Sequence, residues 1–278
     1  PVDGTLTVKA KSSGGGSSSG GSSSGGSSSG GSSSSGSTTN NNNNNNTTTT
    51  TDADGSTTTT ETKPDGTMVK TTTNKDGSTV RTETKPDGSS VTERREADGS
   101  TGTVKTGADS RTEAETKVSE KAVEDAKKNG EAVTVPVDVK AGESSNSAPT
   151  VKIELPAGAG ETKIEIPVSN ANSGTVAIIV HPDGTEEIAK TSTPTENGVQ
   201  LSVSGNTTVK LVDNSKDFGD TRNHWSRDEV NFVAARDLFN GIGNGLFGVS
   251  EPMTRGMVNT VLARLAGVDT EGGATWYE

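Results

Sequence analysis

The sequence predicts a multi-modular chain: a disordered Ser/Gly/Asn/Thr linker, a thin β-meander or disordered 11-residue repeats, a small antiparallel β-sandwich, and a C-terminal α helix-loop-helix. Three observations predict this. Only 26% of the 278 residues are hydrophobic and 3% aromatic, too little apolar surface for one core to span the chain. Asp-Gly returns every 11 residues from Asp54 to Asp98. The large apolar side chains gather near the C-terminus, within residues 218–267.

Residues 1–51 read as a low-complexity linker. A loose SSSGG repeat fills residues 12–37, and seven Asn (Asn40 to Asn46) and five Thr (Thr47 to Thr51) follow. Such a stretch offers nothing to offset an ordering cost of roughly 1–2 kcal/mol per residue.

Residues 52–113 are the repeats, with Asp-Gly at Asp54, Asp65, Asp76, Asp87 and Asp98, and Asp109 keeping the register with Ser110 in place of Gly. Asp-Gly suits a two-residue hairpin turn, and the Thr and Val between turns favour extended strands. The repeats carry only Met68, Val69, Val80, Val91 and Val104 as sizeable apolar residues, so a meander would be one thin layer serving as a stalk. Thr72 to Glu83 also reads in part as a calcium loop, with Asn74, Asp76 and Glu83 at ligand positions and Gly77 at the turn position. Position 1 is Thr72 and flanking helices are missing, so the turn reading prevails.

Residues 114–215 combine a short helix with the sandwich. In "SEKAVEDAKKNG", Ser119 caps, Lys127 and Lys128 sit in the last turn, and Asn129-Gly130 stops the helix. Seven period-two stretches follow, from "AVTVPVDV" to "TVKLV", with "HPDGTEE" at 181–187 as a hairpin turn. His181 and His224 are the only histidines, so no His-based metal cluster is expected. No phosphate-binding Gly-rich loop or Ser-nucleophile turn occurs, and the chain reads as non-catalytic, with no cofactor.

Residues 216–270 form the helix-loop-helix. Ser226 and Glu229 have capping-box spacing, Val230, Val233, Ala234 and Leu238 fall on one face, and Gly241 ends the first helix. The second helix opens at Thr254, its Met257, Val258, Val261, Leu262 and Leu265 recur at spacings of three and four, and Gly267 stops it. Two helices bury too little area alone, so this stripe is a packing face that needs partners.

The run "FGDTRNHWSRDEVNFVAARDLFNGIGNGLFGVSEPMTRGMVNTVLARLAGV" resembles one S-layer homology repeat, the module by which many Gram-positive surface proteins attach to cell-wall polysaccharide. The resemblance covers Phe218 to Val268 and rests on Phe218-x-Asp220, His224-Trp225, "LFNGIGNGLF" and Thr254-Arg255. It implies extracellular placement at the cell wall or S-layer. It also implies binding of an acidic secondary cell-wall polysaccharide, often with pyruvylated sugars, in grooves between neighbouring repeats. The implied binding residues are Asp220, Trp225, Gly241, Thr254 and Arg255, with Arg255 holding a carboxylate, Asp220 and Gly241 shaping the groove, and Trp225 favoured as a core residue over a ligand contact. This copy reads Thr254-Arg255-Gly256-Met257 where the family usually has Thr-Arg-Ala-Glu, which removes the Glu half of a capping box. "WYE" at 276–278 looks like the start of a second repeat in residues 271–278, and with Pro1 in place of Met the chain reads as a fragment lacking its natural start.

A net charge of −11 argues against nucleic acid as partner. The absence of Cys excludes disulfides and fits an exported bacterial protein. No run approaches the ~20 apolar residues of a membrane helix. The rival reading is an adhesive module whose sandwich grips a host or matrix ligand.

Overall fold

The computed structural model describes residues 35–40 and 46–268. The Ser/Gly spacer up to residue 34, the Asn run at 41–45 and the "WYE" end lie outside the described residues.

The repeat turn sets the architecture. Between Thr51 and Thr57, the Asp52 N–H donates to the Ser56 carbonyl (2.9 Å) and the Gly55 N–H to the Asp52 carbonyl (3.0 Å). This is a three-residue loop, Ala53-Asp54-Gly55, a type I turn followed by Gly55 at φ +90°. The two-residue turn expected from Asp-Gly does not form, because Asp54 keeps negative φ and only the glycine turns left-handed. The bonding pattern recurs at residues 63–67, 74–78, 85–89, 96–100 and 107–111, where Ser110 (φ +65°) stands in for glycine.

The Asp has a second task. Its Oδ1 accepts the N–H two residues on, from Ser56, Thr67, Ser78, Ser89, Ser100 and Arg111, at 2.7–3.1 Å. At four of these turns hydrogen bonds hold the carboxyl below the usual range, led by the N–H of Ser56 and Thr67 for Asp54 and Asp65, and by the hydroxyls of Ser78 and Ser89 for Asp76 and Asp87.

Between the turns run β1 (Ser35–Asn40), β2 (Asn46–Thr51), β3 (Thr57–Thr62), β4 (Met68–Thr73), β5 (Thr79–Thr84), β6 (Ser90–Arg95), β7 (Thr101–Thr106) and β8 (Thr112–Lys117). Each pairs antiparallel with the next, so the repeats form the meander and not the disordered alternative. β1 and β2 lie in the stretch expected as linker. The Thr tract of β2 has high strand propensity, and β3 supplies a template in register with it.

Apolar burial contributes little here: from residue 46 to 106, Val69 is the only buried hydrophobic side chain. Threonine pairs take its place, with hydroxyls bonded across strands at Thr49/Thr59 (3.1 Å), Thr58/Thr72 (3.0 Å), Thr82/Thr92 (3.1 Å) and Thr106/Thr112 (3.2 Å). All four fall on pairs without backbone hydrogen bonds, counting outward from each bonded turn-closing pair. There opposite side chains stand closest. Arg81 adds ion pairs to Glu83 (2.8 Å) and Glu93 (3.4 Å).

β8 carries the meander into the sandwich. The chain continues through α1 (Glu120–Asn129), capped by the Ser119 hydroxyl on the Ala122 N–H (3.0 Å) and stopped by Gly130 at φ +71° as its sequence predicts. Then come β9 (Val133–Thr134), β10 (Thr150–Glu154), β11 (Thr162–Pro167), β12 (Thr175–Val180), β13 (Glu186–Ile188), β14 (Thr193–Pro194), β15 (Gly198–Val203) and β16 (Thr207–Asp213). One sheet runs from the meander through β8-β10-β16-β12-β13, and a second has the order β14-β15-β11-β9.

The sandwich is mixed and not wholly antiparallel: β8 with β10 and β9 with β11 are parallel pairs. A helical crossover between β8 and β9 places the chain in the opposite layer, which a hairpin cannot do. Val135, Val137, Val151, Ile153, Ile164, Ile166, Val199, Val209 and Leu211 fill the core. Gly102 in β7 admits the second layer, since a Cβ there would stand 2.0 Å from the Pro136 carbonyl oxygen.

Candidate functional site

The C-terminal region is built on a bolt that its sequence does not advertise. α2 (Arg227–Ala235) lays Ala235 on the outer face of the sandwich sheet against Val176 and Val212. Arg236 follows, fully buried, without a carboxylate partner among the described residues. Its guanidinium donates to the carbonyls of Ser192 (2.7 Å), Phe232 (2.9 Å), Thr175 (3.0 Å) and Ser173 (3.3 Å), and lies 3.8 Å from the Phe232 ring centroid. Burial pushes its pKa down to about 10, so it stays charged at neutral pH. Asn214 Nδ2 to the Ala235 carbonyl (2.6 Å) and the Lys216 N–H to Asn231 Oδ1 (2.8 Å) complete the seam.

α2 ends earlier than Gly241, because Asp237 turns left-handed (φ +54°) and the Leu238 N–H reaches the Val233 carbonyl (3.1 Å). The Ser226/Glu229 capping box does not form: Ser226 makes no side-chain cap, and its hydroxyl bonds His224 Nδ1 (2.8 Å) instead. A neighbouring imidazole within reach wins over the helix N–H.

Beyond α2, a short loop folds around three aromatic rings, with Phe247 5.4 Å from Phe218 and 5.9 Å from Phe239, centroid to centroid. Asp220 holds this loop by accepting the N–H groups of Phe247 (2.8 Å), Gly248 (2.8 Å) and Val249 (3.3 Å). Those donors, Phe247 first, keep its carboxyl below the usual range. Gly241 (φ +71°) is obligatory, as a Cβ would stand 2.6 Å from the Leu246 carbonyl oxygen and 2.9 Å from Phe218.

α3 (Arg255–Leu265) starts at Thr254, whose hydroxyl accepts the Met257 N–H (3.2 Å). The reciprocal half of the capping box survives the loss of Glu: Met257 Sδ lies 3.5 Å from the Thr254 N, a weak thioether acceptor in the carboxylate's place. The helix stops at Gly267 (φ +70°), as expected. Arg264 Nη1 to the Leu238 carbonyl (3.1 Å) and Lys190 Nζ to the Arg264 carbonyl (2.9 Å) tie it down. No residue of α3 is buried, and Met257, Val258, Leu262 and Leu265 are 41–57% exposed.

A cleft of about 590 Å³ lies between the loop and α3, lined by Gly241, Phe247, Met253, Thr254, Met257 and Arg264 among others. Of the expected binding residues, Gly241 and Thr254 line it, and Asp220 braces the wall formed by Phe247 to Val249. Arg255 stands exposed at the head of α3, without an ion pair among the described residues. Trp225 is not among the lining residues. It is 84% exposed beside His224 (centroids 5.4 Å apart), not in the core where sequence reasoning favoured it. The turn before α2 is held through Phe218, Thr221 and His224, so the indole is left outside.

Among the described residues no group of three or more His, Asp or Glu is placed to hold a metal ion. No described helix is long and apolar enough to cross a membrane. Thr72 to Glu83 is strand, turn and strand and not a calcium loop, with Asp76 engaged to Ser78. No curated protein and no solved structure matches the chain. Residues 217–256, which run through α2 and the loop to the first residues of α3, match the S-layer homology domain family, and the match supports a non-catalytic cell-wall-anchoring role for this segment.

Proposed function

We propose that residues 217–268 hold this protein at the bacterial cell wall by gripping an acidic secondary cell-wall polysaccharide, with pyruvylated sugars as the ligand class. The observation that carries this is the family match at 217–256, joined to an unpaired Arg255 at the head of α3 beside the cleft. A guanidinium and the first-turn N–H groups of a helix suit a carboxylate, since both the fork geometry and the helix dipole favour a negative charge there. Trp225 offers an apolar face to a sugar ring. Asp220 and Thr254 keep the loop and the helix start in place, and Gly241 leaves room for Leu246 and Phe218.

The open stripe of α3 is the surface against which a neighbouring repeat packs. Sedimentation of the full chain on purified sacculi, before and after removal of secondary polysaccharide, tests the assignment. Pelleting that disappears on removal, and that weakens in Arg255→Ala, is expected. Unchanged pelleting after removal overturns it.

A further inference from the structure

Any pull between the chain ahead of β2 and a wall-held C-terminal region passes through the meander; this step rests on the anchoring reading. We propose that the meander is an extensible tether that opens repeat by repeat under load while the sandwich stays folded. Its topology loads hydrogen bonds in sequence. Each of β2 to β7 pairs only with the strands before and after it in the chain. In the β3–β4 hairpin, Thr57 and Thr73 are directly opposite, so force enters and leaves at the same end and the ladder opens one pair at a time. The same holds for Met68 and Thr84 in the next hairpin and Thr79 and Arg95 in the one after.

Little else resists opening, because Val69 is the only buried hydrophobic side chain from residue 46 to 106. Opening then meets a stop. Ser100 in the turn before β7 bonds the backbone N–H of Ser119 (3.0 Å), Gly102 packs under Pro136, and β8 sends Ala114 and Thr116 inward while pairing with β10. The transition from unzipping sheet to braced sheet falls at β7.

Each opened repeat frees 11 residues. At roughly 3.3–3.6 Å per extended residue, less a strand spacing of about 5 Å, that is about 30–35 Å of new length. Hairpins re-form within about 1–10 μs, so the extension is reversible.

Single-molecule stretching of the full chain, with handles at Pro1 and Glu278, tests this. The expected trace shows steps of about 30–35 Å at forces below the rupture of the sandwich. A lock sharpens it: Thr58→Cys with Thr72→Cys joins positions whose hydroxyls are 3.0 Å apart, 14 residues apart in a chain without cysteine. Oxidised, the variant should lose about 45 Å of extension, and reduction should restore it. Rupture of all repeats in one event together with the sandwich, or an extension indifferent to the lock, overturns the proposal. Sacculus binding is read separately: a chain that pellets but does not extend refutes the tether alone, and one that extends but does not pellet refutes the anchor alone.

Discussion

The turn at Asp76 and the turn at Asp183 are one device in two settings. In the sandwich, His181 N–H donates to the Thr185 carbonyl (2.9 Å), Gly184 N–H to the His181 carbonyl (2.9 Å), and the Thr185 N–H to Asp183 Oδ1 (2.9 Å). In the meander, Asn74, Ser78, Gly77 and Asp76 repeat that pattern bond for bond. Yet the strands leaving the Asp183 turn reach a core where Ile164, Ile166 and Val199 are fully buried, and of the hydrophobic side chains on those leaving the Asp76 turn only Val69 is buried. Turn chemistry therefore decides which strands meet, and apolar burial decides how firmly they stay.

The largest effect should come from the core. Ile166→Ala is expected to cost about 3 kcal/mol in urea unfolding of the full chain, whereas Val80→Ala in β5 should cost less than about 1 kcal/mol. Equal losses at the two sites would mean that the meander shares the sandwich's stability after all.

Next, Arg236→Met asks whether the α2 seam belongs to the sandwich side of this contrast. Four carbonyls lose their donor, so about 2 kcal/mol should be lost, with hydrogen exchange rising in α2 and leaving β3 to β5 untouched. Unchanged exchange in α2 would show that Ala235 alone holds the helix.

Gly102→Ala tests the joint between the two regions. The added methyl must displace the Pro136 backbone, which should cost about 1–2 kcal/mol and accelerate exchange in β7 ahead of β11. A neutral substitution would mean that the second layer rides loosely on the meander.

The smallest effect is one of pH. Asp54, Asp65, Asp76 and Asp87 have pKa values below the ordinary one, so their contribution is present above about pH 4 and is lost as pH falls through the depressed folded values. Below pH 4, pepsin should cut the meander before the sandwich, where Asp183 and Asp213 are lowered as well but the strands also bury a hydrophobic core. Cleavage in the reverse order would show that the turn carboxylates do not govern the meander.

Much of this was legible along the chain because it is local. The 11-residue period located every repeat turn, Ser119 and Thr254 marked helix starts, and Gly130 and Gly267 marked stops, since each acts on neighbours within one turn of backbone. The motifs around Phe218, Asp220 and Thr254-Arg255 pointed to the family that residues 217–256 match. The three-residue turn escaped because Asp-Gly is compatible with two loop lengths, and only the bond from Asp52 to Ser56 distinguishes them.

By itself, then, the sequence determined the period, the place of each repeat turn, the caps of α1 and α3 and the family that residues 217–256 match, all carried by residues a few places apart. The tertiary structure alone decided the parallel pairing of β8 with β10, the exposure of Trp225 and the burial of Arg236. Thr175 and Ser192 lie 61 and 44 residues from the arginine that bonds them. A buried guanidinium that takes backbone carbonyls as its partners needs no particular side chain opposite it, and so leaves no mark in the sequence.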